Sequence, residues 1–218
     1  MQAIMETLFD IVYLCTVITM GILMIRRAKG HKPTLLFGVM AVTLGCGDAF
    51  HLIPRAFALC TDGLANHAAA LGVGKLVTSI TMTVFYILLY HVWQLRYNKK
   101  SAGLTAAVYL AAVRAALCLF PQNDWLSAEA PLSWGIWRNL PFAAMGVVII
   151  VLFFREARAA NDRPFRFMWL AITLSFAFYI PVVLWADAVP LVGMLMIPKT
   201  CAYVWVVFMG WQASKEPR

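Results

Sequence analysis

The chain has 218 residues, 62% of them hydrophobic, with 18 Lys/Arg against 10 Asp/Glu and a formal net charge of +8. Charged residues make up 13%, where soluble domains carry about 25%, which excludes a disordered chain, a disulfide scaffold and an ordinary cytosolic enzyme. Seven mostly apolar stretches remain, each long enough to cross a hydrocarbon core of about 30 Å.

In chain order these stretches are 8–25, 34–53, 72–92, 103–120, 136–154, 167–186 and 191–211. The expected fold class is an all-α integral membrane protein with seven transmembrane helices, forming one domain over 1–218. Residues 1–10 carry Glu6 and Asp10 where a cleaved signal peptide would place basic residues, so no leader is expected there.

Thirteen of the eighteen Lys/Arg fall in connections on one side: Arg26, Arg27, Lys29, Lys32, Arg96, Lys99, Lys100, Arg155, Arg158, Arg163, Arg166, Lys215 and Arg218. The opposite connections hold Arg55 and Arg138. Basic loops stay cytoplasmic, which puts the N-terminus outside and the C-terminus inside. The basic balance thus reflects topology and contact with membrane lipids; it does not call for nucleic acid. Trp93, Trp169 and Trp211 at inner ends, and Trp137 and Trp185 at outer ends, fit an interfacial belt. Cys15, Cys46 and Cys201 read as small packing residues within spans, and Cys60 and Cys118 as two outer-side thiols whose pairing is open.

The first and last three spans look alike. Ile25-Arg-Arg-Ala-Lys-Gly30 is matched by Phe154-Arg-Glu-Ala-Arg-Ala159, and Lys32-Pro33 by Arg163-Pro164. Ala41-Val-Thr-Leu44 is matched by Ala171-Ile-Thr-Leu174, Val73-Gly74 by Val192-Gly193, and Trp93-Gln94 by Trp211-Gln212. The expected plan is a parallel 3+1+3 repeat: repeat 1 over about 7–97, a linker helix over about 102–120, and repeat 2 over about 135–213. This plan, with an outside N-terminus, resembles SWEET-type sugar transporters, their PQ-loop relatives and microbial rhodopsins over the whole chain, at the level of architecture. Parallel repeats of this kind imply a site near the bilayer midplane between the halves.

Charged groups at membrane depth are costly unless paired or hydrated, so they point to function. Span two holds Gly45-Cys-Gly47-Asp48-Ala-Phe-His51-Leu-Ile-Pro54-Arg55. Asp48, His51 and Arg55 are three and four residues apart and share a helix face. Gly45 and Gly47 leave room for a neighbouring helix or a ligand, and Pro54 is expected to end or bend the helix. Span three adds a stripe of Lys75, Thr78, Ser79, Tyr86 and Tyr90, span six Ser175 and Tyr179, and span seven Lys199, Thr200 and Tyr203. Arg114 and Arg138 add positive charge, while Asp10 and Tyr13 lie toward the outer end of span one.

The candidate ligand-binding residues are therefore Asp48, His51, Arg55, Lys75, Thr78, Ser79, Tyr179, Lys199 and Tyr203. Asp48, His51, Lys75 and Lys199 are expected to converge on one cavity nearer the outer surface. No HxxxH or HExxH motif occurs, so neither a metal nor another cofactor is expected. The leading reading is a transporter of the inner or plasma membrane that binds a small anionic solute between its halves. The alternatives are a lipid-modifying enzyme using Asp48 and His51, and a receptor or retinal-type sensor with Lys199, although Leu195 stands where microbial rhodopsins usually keep an Asp. Homo-oligomerisation stays open.

The charge asymmetry has a direct check. A single cysteine in place of Asn161 should react with an impermeant thiol reagent only from the cytoplasmic side, and one in place of Asn66 only from outside. The reverse pattern would invert the orientation.

Overall fold

The computed structural model describes residues 2–99, 103–127, 130–186 and 188–216. Lys100 and Arg218 of the charge asymmetry lie outside the described residues. The described chain is helical: α1 (Gln2–Ala28), α2 (Lys32–Cys60), α3 (Ala68–Arg96), α4 (Gly103–Leu119), α5 (Leu132–Ala159), α6 (Met168–Trp185) and α7 (Met196–Ala213). Single 3-10 turns at Leu64–His67, Pro121–Asn123 and Pro190–Leu195 cover three of the connections.

Six of the helices are long and apolar enough to cross a membrane, and this all-helical apolar architecture fits a multi-pass membrane protein. The exception is α4, whose 17 residues span about 26 Å at about 1.5 Å per residue. Helix α1 starts at Gln2, not at residue 8, because Met5, Glu6 and Thr7 continue the helical hydrogen bonding past the apolar stretch. Helix α2 runs through Pro54 to Cys60, so the expected stop at that proline does not occur. Pro181 likewise lies inside α6, whereas Pro198 falls in the first turn of α7, where a missing N–H leaves no helical bond broken.

Each helix packs on the next in sequence, and α7 returns to α1 to close a ring; α2 also touches α7, and α3 touches α5. Helix α1 shows how the sequence sets its facing. Asp10, Tyr13, Val17 and Met24 are buried, while Ile4, Leu8, Ile11 and Val12 are exposed. Three- and four-residue spacing places the buried set on one stripe, and here the stripe carries the polar groups and the outer surface is apolar. That is the arrangement a lipid solvent favours.

Helices α1, α2 and α3 pack almost backbone to backbone. A Cβ on Gly21 would stand 3.0 Å from the Gly38 carbonyl oxygen, and one on Gly74 would stand 2.7 Å from the His51 Cα. Small residues at such crossings let helices approach closely. Elsewhere aromatic rings fill the interior. Tyr86, Phe142 and Phe176 meet at centroid distances of 5.0–5.8 Å, and Phe85 meets Tyr203 edge-on at 5.5 Å.

The proposed repeat pairs do not share one environment throughout. Ala41 and Ala171 are both fully buried, but Gly74 is wedged against α2 while Gly193 sits in the 3-10 turn before α7 with open space around it. All five cysteines are free: Cys15, Cys46, Cys60 and Cys201 are exposed and Cys118 is buried. Cys15, Cys46 and Cys201 thus face outward rather than into the packing, and Cys60 and Cys118 are not bonded to each other.

One end of the bundle is basic and is tied by an ion-pair network. Arg96 donates from Nε to Asp162 Oδ2 at 2.5 Å and from Nη2 to Asp162 Oδ1 and Glu216 Oε2, both at 2.9 Å. Tyr97 adds its hydroxyl to Asp162 Oδ2 at 2.8 Å, and Lys99 pairs with Glu156 at 3.1 Å. The end of α3, the α5–α6 connection and the chain after α7 are joined in this way. Burial alone would raise the Asp162 carboxyl, but the bonds from Arg96 and Tyr97 outweigh it and hold the group below the usual carboxylate range.

A carboxyl held down in the folded state adds stability above its unfolded value, and this is lost as pH falls through the folded one. The detergent-solubilised protein should therefore lose thermal stability below about pH 4. Asp162→Asn should lower stability at neutral pH by about 1.5–3 kcal/mol and flatten that acid dependence. Thermal unfolding followed at several pH values measures both.

Candidate functional site

The polar groups of the interior gather away from the basic end. Asp48 lies about 24 Å along α2 from Lys32, and Lys199 about 21 Å along α7 from Ala213, at about 1.5 Å per residue. The two therefore meet at similar depth. Tyr13 of α1 donates its hydroxyl to Asp48 Oδ2 at 2.6 Å. Lys199 is the cation whose charge acts on Asp48, and its Nζ stands 4.5 Å from the centre of the Tyr179 ring and 5.8 Å from that of Tyr203. An ammonium over aromatic faces gains electrostatic attraction without needing a second carboxylate.

The remaining sequence candidates take separate positions around this centre. Thr78 donates to the carbonyl of Gly47 at 3.1 Å, which ties α3 to α2 beside Asp48. Ser79 turns back to the Lys75 carbonyl of its own helix at 2.8 Å. Tyr179 donates to Asn139 Oδ1 at 3.1 Å, and the hydroxyl of Tyr203 lies 3.3 Å from that of Tyr86. His51 lies near the backbone of Leu71 and within electrostatic range of Lys75, Arg55 and Lys199; its Nδ1 has no partner among the described residues.

Two of the expected anion holders stand apart from Asp48. Arg55 is engaged by Glu6 of α1. Lys75 is exposed, because α3 begins at Ala68 and the lysine lies only about 10 Å from that end. Of the four residues expected to converge, Asp48 and Lys199 act on each other, His51 lies one helical turn further along α2, and Lys75 is exposed. Gly45 is covered by Ile18 and Gly47 by Thr81, so both serve helix approach.

Three groups matter more than their sequence setting suggested. Tyr13 is the hydrogen-bond partner of Asp48. Glu6 lies in the N-terminal turns that the apolar stretch omitted. The third, Arg114, is 2% exposed, with its guanidinium carbon 3.5 Å from the centre of the Phe142 ring. Cys118, Tyr86, Tyr179 and Tyr203 surround it. Its Nε and Nη1 have no partner among the described residues, and its charge acts on Lys199. The signal for Arg114 was present in the sequence as a lone cation inside an apolar span.

Asp48, His51, Thr78, Ser79, Tyr179 and Lys199 all keep part of their surface accessible, while Tyr86, Phe85, Phe142 and Tyr203 toward the basic end are buried. Asp48, Lys199 and these hydroxyls thus keep some accessible surface, while Arg114 is buried beside the aromatic residues. Such a set can bind an anion and can move a proton between oxygen and nitrogen. Among the described residues no group of three or more His, Cys, Asp or Glu could hold a metal ion.

Removing the Asp48 charge takes away both the carboxylate that acts on Lys199 and the charged acceptor of the Tyr13 hydroxyl. Asp48→Asn should therefore lower the thermal stability of the solubilised protein more than Tyr13→Phe, which removes one charge-assisted hydrogen bond worth about 1.5–3 kcal/mol. Equal, small effects would mean that the two residues are not coupled to Lys199. No protein-family model matches the chain, and neither a curated protein nor a solved structure is found to be similar to it.

Proposed function

We propose that the chain is a seven-span protein of the inner or plasma membrane, with its N-terminus outside and its basic end cytoplasmic, that transports a small anionic solute. The solute binds between the two three-helix halves of a parallel 3+1+3 plan, with its negative group held by Lys199 of α7 and Arg114 of α4. The observation that carries this reading is Arg114, a guanidinium buried at mid-bundle with two unpartnered nitrogens. Asp48 acts on Lys199, whereas the groups around Arg114 are Tyr179, Cys118, Tyr203 and Tyr86, and a buried cation without a counter-charge is strongly unfavourable. A bound anion supplies that charge, and a carboxylate matches the guanidinium fork.

The neighbours suit the task. Tyr179, Tyr203 and Asn139 offer donors and acceptors around Lys199, and Phe142 gives Arg114 an apolar backing. The partial exposure of Asp48 and Lys199 and the buried rings toward the basic end support a state open away from that end. Pro54 and Pro181, each inside a helix, are the candidate bend points for the opposite state. Asp48 and Lys199 form the titratable pair at its centre. Acid–base catalysis on lipid draws less support, because Asp48 Oδ2 is taken by Tyr13.

The test is a thermal-shift screen of the purified protein with acetate, lactate, benzoate, inorganic phosphate and chloride, followed by flux of the stabilising anion into proteoliposomes. At least one carboxylate should stabilise the protein, and Arg114→Gln and Lys199→Met should each weaken its binding at least tenfold while leaving a folded protein. If no anion in the set stabilises the protein, or both variants bind normally, the reading fails. A coloured adduct with added retinal that Lys199→Met abolishes would replace it with the sensor reading.

A further inference from the structure

On α1, Glu6, Asp10 and Tyr13 are four and three residues apart, which stacks them on one helix face over about 10 Å of axis. That face is turned to α2: Glu6 engages Arg55, and Tyr13 donates to Asp48. Asp10 lies between these two contacts. It is 7% exposed, and its Oδ2 has no hydrogen-bond partner among the described residues.

The charges around Asp10 can be taken helix by helix. Its own helix presents Glu6 on one side and Tyr13 on the other. Helix α2 presents Arg55, His51 and Asp48, of which Arg55 and Asp48 act on Asp10 together with Glu6. Helix α7, the other element packed on α1, brings Lys199 and Tyr203 to the far side of Asp48. The single cation in direct electrostatic range, Arg55, is already engaged by Glu6. An ionised Asp10 would thus leave a bare carboxylate oxygen in an apolar bundle between two further carboxylates, which is strongly unfavourable. A proton on Oδ2 removes the charge.

We propose that Asp10 is a proton-binding site, set between the Glu6–Arg55 pair and the Tyr13–Asp48 pair, whose occupancy is coupled to the Asp48–Lys199 centre. Loading the site forms one O–H bond on Asp10 and unloading breaks it; no electron is transferred. Binding of a proton here and of an anion at Lys199 would be linked through Asp48, and that link alone rests on the transport reading.

Infrared difference spectroscopy of the solute-free protein in lipid, titrated with pH in light and heavy water, tests the site without any solute. The expected result is a protonated-carboxyl band that shifts in heavy water, titrates with pH, and is lost in Asp10→Asn. In Lys199→Met the band should persist with its midpoint displaced by about tenfold in proton concentration, an effect that a merely structural Asp10 would not show. Elution profile and thermal transition confirm that each variant is folded. A band that survives in Asp10→Asn and vanishes in Asp48→Asn would place the proton on Asp48 and overturn the assignment. Absence of any protonated-carboxyl band would overturn the site, and an unmoved midpoint in Lys199→Met would overturn the coupling. None of these outcomes depends on whether an anion binds.

Discussion

A carboxylate halfway along an apolar helix has to be met by donors and cations from its neighbours, and Asp48 is met by Tyr13 and faces Lys199. These residues come from α1 and α7, the first and last helices, so satisfying Asp48 requires the chain to bring its two ends together. The contacts of α7 with both α1 and α2 are the packing expression of that requirement. Once α7 is placed, Tyr203 reaches Tyr86 and Lys199 reaches the Tyr179 ring, which aligns α3 and α6 around the same centre. Helix α4 enters through Arg114, whose charge rests on the Phe142 ring of α5.

The bundle uses two kinds of packing around this centre. Between α1, α2 and α3, glycines bring backbones together, as at Gly21 with Gly38 and Gly74 with His51. Such contacts hold helix depth closely, since no flexible side chain intervenes, and they keep Tyr13 opposite Asp48. Between α3, α5, α6 and α7 the contact is made by rings, with Phe142 and Phe176 at 5.0 Å. These rings fill the interior toward the basic end, where Tyr86, Phe85, Phe142 and Tyr203 are buried.

The two ends of the bundle are built differently. At the basic end Arg96 is shared by Asp162 and Glu216 and stacks on Phe165 at 4.6 Å, so α3, the α5–α6 connection and the chain after α7 are tied together. At the other end the strongest ionic contact, Glu6 with Arg55, joins only the neighbouring helices α1 and α2. The described ion pairs between distant segments thus gather at the basic end.

Much of this was legible in the residues alone. Hydropathy and length fix the number of apolar stretches because a bilayer leaves every backbone group to be satisfied within its own helix. Helical spacing fixes which side chains share a stripe, so Asp48 with His51 and Tyr179 with Ser175 could be read directly. Spacing says nothing of which stripe faces which, because that depends on relative depth and on the order of helices around the ring. Lys75 and Lys199 were equivalent partners for Asp48 until the start of α3 at Ala68 put the first at the rim and the return of α7 to α1 put the second at the centre. The helix ends were equally hidden: Glu6 and Pro54 lie where hydropathy falls away, yet continued hydrogen bonding carries α1 and α2 past them. Arg114 was visible as a cation in an apolar span, but its exposure, its ring contact and its unpartnered nitrogens are properties of five helices at once, which no single stretch of sequence contains.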